Sequence, residues 1–175
     1  MNYSAIRYHD IANGVGVRTS LFVSGCSRRC AGCFNSDAWD FGAGRAFDRG
    51  AEDELLESVA DEYTNGLSVL GGEPLEGANV DGVGRLLTRF RERYGDSKDV
   101  WLWTGYRYEE LDGRQREVVA LADVIVDGPF VESLKDLTLR FRGSSNQRIV
   151  DVRRSTNAAH VVEWQDEEVY STHRM

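Results

Sequence analysis

The sequence contains few of the residues that usually mark a linker or a second domain. Its 175 residues include only two prolines, Pro74 and Pro129, and neither lies in a linker-like stretch. No internal repeat and no low-complexity tract is present. These absences predict one compact unit, and a chain of 175 residues is long enough to bury a sizeable core.

The sequence also lacks the features of membrane, secreted and nucleic-acid-binding proteins. It has no apolar run long enough to span a bilayer, and its first residues lack a signal-peptide pattern. Its formal net charge is −8, whereas binding to nucleic acid by phosphate neutralisation needs a concentrated basic surface. We therefore expect no membrane and no nucleic-acid partner, and we predict a cytoplasmic protein.

Cysteine is scarce, and all of it lies in the short run Ser24–Asn35. The three cysteines are spaced Cys-x3-Cys-x2-Cys at Cys26, Cys30 and Cys33. Three thiolates so close together suit soft iron, and iron–sulfur clusters are held by cysteine sulfur. Because a cubane cluster has four irons, three protein ligands leave one iron open to bind a substrate.

Three other interpretations of this run compete with a cluster. The same spacing would line one face of a helix with inert thiols, although Gly25 and Gly32 favour a loop. A disulfide framework needs an even number of cysteines and a small secreted scaffold. A structural zinc site needs a fourth ligand, and only three scattered histidines are present to supply it.

Hydrophobic periodicity predicts strands that alternate with helices. The predicted strands are Val17–Val23, Leu67–Leu70, Val100–Trp103 and Val124–Val126, followed by a strand-like run over Leu137–Arg142. The predicted helices are Ala51–Tyr63, Val80–Tyr94 and a segment around Arg114–Leu121. The alternation predicts an α/β fold with right-handed parallel crossovers, and residues 6–17 are interpreted as a glycine-punctuated lead-in.

Four unusual loops each follow the carboxyl end of a predicted strand. They are the cysteine run, Gly71–Pro74, Thr104–Tyr106 and Asp127–Phe130. In parallel α/β folds, ligands bind at this edge of the sheet. The sequence therefore predicts an active site at the carboxyl ends of the strands.

The cysteine run together with Gly71-Gly72-Glu73-Pro74 resembles the radical S-adenosylmethionine (SAM) superfamily. Within it, the chain resembles the activating proteins of anaerobic ribonucleoside-triphosphate reductase. The strings that carry this resemblance are Asn13–Arg18, Leu21–Cys26, Gly32–Asn35, Trp101–Tyr106, Val126–Phe130 and Arg142–Gln147. The resemblance implies an open, partial TIM-like βα barrel with parallel strands over residues 1–153. Residues 154–175 are interpreted as a C-terminal extension of unknown role.

The resemblance implies a [4Fe–4S] cluster and SAM as cofactors. The open iron would chelate SAM, and one electron would cleave the sulfonium bond to give methionine and a 5′-deoxyadenosyl radical. That radical would take a hydrogen atom from a glycine of the reductase. A low-potential donor such as flavodoxin or ferredoxin would supply the electron. The alternatives are an activating enzyme of another glycyl-radical enzyme (formate-lyase type), a radical SAM enzyme acting on a small molecule, and a non-enzymatic iron–sulfur module.

The resemblance also gives roles to individual residues. The cluster ligands would be Cys26, Cys30 and Cys33. The SAM contacts would be Gly32, Cys33, Phe34, Gly71, Gly72, Glu73, Thr104 and Asp127. The reductase would dock near Ser144, Ser145, Asn146 and Gln147. Arg28 and Arg29 have three competing interpretations. Their charges would stabilise the thiolates and the SAM carboxylate, or they would contact an acidic electron donor, or they are solvated surface residues. No acid or base catalyst is expected, because the cofactors carry the chemistry.

Overall fold

The centre of the fold is a seven-stranded mixed sheet, in a computed structural model that describes residues 1–165. Its strands are β1 (Asn2–Asp10), β2 (Val17–Val23), β3 (Arg45–Ala46), β4 (Thr64–Gly71), β5 (Asp99–Trp103), β6 (Val124–Asp127) and β7 (Arg148–Asp151). They lie in the order β3-β1-β2-β4-β5-β6-β7. The central strands β2, β4, β5 and β6 are parallel, whereas β1, β3 and β7 pair antiparallel with their neighbours.

The helices are α1 (Arg49–Val59), α2 (Val80–Tyr94), α3 (Gly113–Val119) and α4 (Val152–Ala158). Local signals explain where they begin and end. The carboxylate of Asp48 accepts a hydrogen bond from the backbone of Ala51 and caps α1. Asp112 and Gln115 form a reciprocal capping box at the start of α3. None of the helices within residues 1–165 is long and apolar enough to cross a membrane.

Apolar residues pack on both faces of the sheet. Along β5, Val100 and Leu102 join the main core, which also contains the buried faces of α1, α2 and α3. Trp101 and Trp103 alternate with them and belong to a second, smaller cluster that includes Phe141. Successive side chains of a strand point to opposite faces, so the two clusters lie on opposite sides of the sheet.

The central strands and α2 are confirmed, but the ends of the sheet differ from the prediction. Strand β1 begins at Asn2 and includes the first part of residues 6–17, which were interpreted as a lead-in. It pairs with β2 from Tyr3 to Asp10. The Leu137–Arg142 run does not form a strand. Its Phe141 adopts a left-handed backbone conformation (φ 60°), which ends an extended segment, and its ring packs edge-on against Trp101. The expectation of parallel strands is therefore wrong for β1, β3 and β7.

The C-terminal residues that the structure describes return to the sheet. The predicted boundary after residue 153 falls inside α4. Beyond α4, the Asp151 N–H donates to the Val162 carbonyl and the Trp164 N–H donates to the Ile149 carbonyl, both at 2.9 Å. The Trp164 ring then lies 5.1 Å from the Trp101 ring in an edge-on arrangement. Residues 166–175 of the predicted extension lie outside the described residues.

Candidate functional site

The cysteines lie in a loop that follows β2, which we call the cysteine loop (residues 26–33). The chain turns at Gly25, where φ is 98° and an added Cβ would lie 2.2 Å from the Phe41 ring, so glycine is required. The Cys26 N–H donates to the Trp39 carbonyl at 3.1 Å and fixes the start of the loop. Because the run contains no helix, the alternative of a helical stripe of cysteines is wrong.

All three thiols are free, half-buried and line one cavity. Within residues 1–165, no three His, Cys, Asp or Glu side chains converge to hold a metal ion. A cubane cluster places no such demand, because each thiolate binds a different iron. Burial raises the pKa of the Cys26 thiol, and the charges of Glu73 and Cys30 act in the same direction. A metal ion bound here would have to displace the proton of this thiol.

Gly71 and Gly72 bring the end of β4 against the cysteine loop. The Gly72 N–H donates to the Val23 carbonyl at 2.8 Å, and the Glu73 N–H donates to the Gly25 carbonyl at 2.9 Å. A Cβ on Gly72 would lie 2.5 Å from the Gly25 carbonyl oxygen, and one on Gly71 would lie 2.6 Å from that of Val23. Both glycines are therefore required by the contact of two backbones, whatever else they bind.

Glu73 connects the loop after β4 to the loop after β5. Its carboxylate is fully buried and accepts hydrogen bonds from the Leu75 N–H (3.0 Å), the Thr104 hydroxyl (2.7 Å) and the Gly105 N–H (2.7 Å). Burial raises the pKa of Glu73, while these hydrogen bonds and the charge of Arg28 oppose the rise. The side chain fixes two of the predicted ligand loops relative to each other.

Asn79 joins the chain just after β2 to the loop after β4, and the sequence did not identify it. Its buried amide donates to the carbonyl oxygens of Ser24 (2.9 Å) and Glu73 (3.0 Å). In the sequence it precedes α2 and resembles an ordinary helix cap, yet its side chain makes no capping bond. Only the tertiary contacts show that Asn79 bridges two backbone segments and does not cap α2.

The cavity brings together most of the predicted SAM contacts. Its walls include Cys33, Phe34, Gly71, Gly72, Glu73 and Thr104. The apolar residues that complete the walls were not among the predicted SAM contacts, and they are Trp39, Leu70, Trp103 and Phe130. Rings and aliphatic groups of this kind are typical of the lining of small-molecule sites.

Two predicted SAM contacts are not among the residues that line this cavity. Gly32 has φ 68°, a left-handed backbone conformation that favours glycine, and its Cα lies beside the exposed Glu132 side chain. Asp127 is buried and accepts hydrogen bonds from the Tyr108 N–H (2.8 Å) and the Arg148 Nε (3.0 Å). Asp127 therefore anchors strands and loops beside the cavity.

The predicted docking residues form an internal turn. Ser144 is fully buried and its hydroxyl accepts from the Val131 N–H at 3.2 Å, so its side chain presents no surface for docking in this structure. The Gln147 amide accepts from the Gly143 N–H at 2.8 Å, and the Asn146 amide donates to the Pro129 carbonyl at 2.8 Å. Ser145 is exposed.

Arg28 is a further residue of the site. It lines the cavity, and its guanidinium carbon lies 4.1 Å from the centre of the Tyr106 ring. Its Nε lies 3.7 Å from a carboxylate oxygen of Glu73. The cysteine loop and the loop after β5 thus meet at this side chain.

Comparison with known proteins places the chain in a family. A family model described as a 4Fe-4S single cluster domain matches residues 12–150. The anaerobic ribonucleoside-triphosphate reductase-activating protein of Escherichia coli (strain K12) is 43% identical over 155 residues, which cover 87% of this chain and 100% of that protein. The proteins of the same name from Haemophilus influenzae and Enterobacteria phage T4 are 40% and 38% identical, covering 85% of this chain and 97% and 93% of theirs.

The family model extends over the cysteine loop, the central parallel strands and the cavity. The fold and the family model define a protein of the single 4Fe–4S cluster class. More narrowly, the chain belongs to the family of anaerobic ribonucleoside-triphosphate reductase-activating proteins. Of the interpretations of the cysteine run, the family therefore supports the cluster rather than zinc.

Proposed function

We propose that this protein activates anaerobic ribonucleoside-triphosphate reductase by reductive cleavage of SAM at a [4Fe–4S] cluster. The observation that carries the proposal is the common cavity of Cys26, Cys30, Cys33 and Gly71–Glu73 in a chain of this family. When bound, the cluster would supply the electron that cleaves SAM, and the resulting radical would take a hydrogen atom from a glycine of the reductase. This chain's own residues would bind the cluster and SAM, orient them, and shield the reacting atoms from water.

The three cysteines would hold the cluster, because thiolates are the ligands that such clusters use and the cavity offers three of them. SAM would occupy the remaining space between the cysteine loop and the loops after β4 and β5. Glu73, Thr104 and Asn79 keep these loops in place through buried hydrogen bonds, so the site is built before ligand arrives. The apolar walls at Trp39, Trp103 and Phe130 would exclude water from the reacting atoms.

The mouth of the cavity fits a macromolecular substrate. Phe34 lines the cavity and is 85% exposed, which leaves an apolar surface at the entrance. A glycine-bearing segment of the reductase would cover this surface and bring its glycine to the cluster. As parts of the same proposal, the chemistry is of the formate-lyase-activating type and a low-potential flavodoxin or ferredoxin supplies the electron. The protein works in the cytoplasm, and its central strands form an open, TIM-like partial barrel.

The test begins with anaerobic reconstitution of the protein with iron and sulfide. We expect a [4Fe–4S] cluster and, after addition of SAM and a low-potential reductant, release of methionine and 5′-deoxyadenosine. With the reductase present, electron paramagnetic resonance should detect a glycyl radical on the reductase. Cys30→Ala is the matched control and should give neither product nor radical. SAM cleavage without a glycyl signal on the reductase would contradict the assigned target, and a formate-lyase substrate protein should then be tested in its place.

A further inference from the structure

Arg28 is the one Arg, Lys or His among the described residues that line the cavity. It lies between the first two cysteines, and its side chain is 25% exposed. Its Nε is buried and has no hydrogen-bond partner. A buried donor of this kind is costly unless something binds it, so the position of Arg28 needs an explanation.

Glu73 supplies only part of that explanation, because it forms an ion pair with Arg28 but no hydrogen bond. Its carboxylate already accepts three hydrogen bonds, from Leu75, Thr104 and Gly105. The distance of 3.7 Å between the Arg28 Nε and the nearer Glu73 oxygen exceeds that of a hydrogen bond. The carboxylate is therefore satisfied without Arg28, and the guanidinium keeps its donors for another acceptor.

The surroundings of Arg28 hold the guanidinium in one orientation. The group stacks on the Tyr106 ring at 4.1 Å. Gly105 makes room for the side chain, because a Cβ there would lie 2.5 Å from the Arg28 Cδ. A stacked guanidinium presents its fork of N–H groups in a fixed plane, which suits bidentate binding of a carboxylate.

We infer that Arg28 binds the carboxylate of the methionine part of SAM, an inference that rests on the proposed function. SAM carries one anionic group, its carboxylate, and Arg28 is the one cationic side chain on the walls of the described cavity. The rest of the site is negative or neutral, with Glu73 and, once metal is bound, three thiolates. Apart from the open iron of the cluster, a carboxylate placed anywhere else along these walls would meet no opposite charge.

The test compares ligands as well as variants. Reconstituted wild type, Arg28→Gln, Arg28→Lys and Arg29→Gln are titrated with SAM and with decarboxylated SAM by equilibrium dialysis, without reductant so that no SAM is cleaved. Arg29→Gln makes the same charge change at the next, exposed position of the same loop. Iron and sulfide content is measured for each protein.

Arg28→Gln should weaken SAM binding by about ten- to a hundred-fold, the usual cost of a hydrogen-bonded charge pair. Its effect on decarboxylated SAM should be less than about two-fold, because that ligand lacks the group that Arg28 binds. Arg28→Lys should lie between, since lysine keeps the charge but loses the planar fork. Arg29→Gln should bind both ligands as wild type does.

Equal losses for the two ligands would overturn the inference, and so would wild-type SAM binding by Arg28→Gln. Lower iron content in Arg28→Gln than in Arg29→Gln would also overturn it, by showing that the side chain supports the cysteine loop. Failure of the wild-type protein to bind SAM would refute the proposed function itself, which separates the two failures.

Discussion

The cysteine loop and the 128–147 segment both contribute to the cavity, but they differ in whether their polar side chains already have partners within the protein. The three thiols are free and open to the cavity. In the 128–147 segment, Ser144 and Gln147 instead bind neighbouring backbone groups, and Asn146 does so through its amide N–H alone. The Asn146 Oδ1 is buried and has no hydrogen-bond partner among the described residues. A polar side chain in a binding loop is thus available for a ligand only when the fold leaves it without a partner.

The largest effect should come from the cysteine loop. Changing Cys26, Cys30 or Cys33 to Ala should reduce cluster iron to background and abolish SAM cleavage, because an iron would lose its thiolate ligand. The iron-free protein should keep its unfolding free energy, since the half-buried thiols make no disulfide. Ser27→Ala in the same loop is the control and should retain its iron. Iron analysis and urea unfolding check both statements, and a destabilised iron-free Cys→Ala variant would mean that the thiols also support the fold.

The next effect should come from the contact between the cysteine loop and the loop after β4. Gly72→Val should lower the unfolding free energy by about 1–3 kcal/mol or more and impair cluster uptake, because its Cβ would lie 2.5 Å from the Gly25 carbonyl oxygen. Gly77→Val is a matched control, since an added Cβ there meets nothing within 4 Å. Urea unfolding and iron content are measured for both variants. Wild-type stability and cluster content in Gly72→Val would contradict this, by showing that the loop after β4 can shift to accommodate the side chain.

A smaller effect is expected in the 128–147 segment. Gln147→Ala removes acceptors for the Gly143 and Ser144 N–H groups and a donor to the Gly128 carbonyl. We expect a loss of about 1–3 kcal/mol of unfolding free energy, because buried backbone groups would lose their partners. Ser145→Ala, at an exposed position of the same turn, should change it by less than about 0.5 kcal/mol. Equal stability of the two variants would contradict the internal role of Gln147.

The sequence predicts the central strands, α2 and the cysteine loop because these depend on local signals. Buried residues dominate β2 and β4 and recur along α2, and Gly25 allows the turn before the cysteines. β1 escaped prediction because Tyr3 is the one residue fully buried among its nine, so it carries no apolar alternation.

Contacts between distant residues could not be predicted in this way. Asp127 is the last residue of β6 and lies at the expected edge, yet its partner Arg148 lies 21 residues away. The Asn79 side chain binds the carbonyl oxygens of Ser24 and Glu73, which lie 55 and 6 residues away in the sequence. Both polar residues resemble ligand or capping residues in sequence, and only the fold shows that their hydrogen bonds are already made.

The smallest effect concerns Arg148, which joins Asp127 to Glu109 beside the 128–147 segment. Its guanidinium donates to both Glu109 oxygens, at 3.0 and 2.7 Å, and to Asp127. The hydrogen bonds from Arg148 lower the pKa of Glu109 from 4.5 to about 2. A group whose pKa is lower in the folded state stabilises the protein above its unfolded pKa, and this contribution is lost as pH falls towards the folded value. Because the Glu109 side chain is 57% exposed, solvent screening keeps the contribution below about 1 kcal/mol.

Glu109→Gln should therefore lower the unfolding free energy of the iron-free protein slightly near neutral pH, and the difference from wild type should shrink as pH falls from 4.5 towards 2. Urea unfolding at a series of pH values measures this difference. Glu62→Gln removes an exposed carboxylate that has no ion pair in the described part of the chain, and its difference from wild type should not follow the same course. Cluster uptake should be unchanged in both variants, because Glu109 does not line the cavity. A Glu109→Gln difference that stays constant over this range would show that Arg148 is held by the buried Asp127 alone, and that the outer ion pair adds nothing to this side of the cavity.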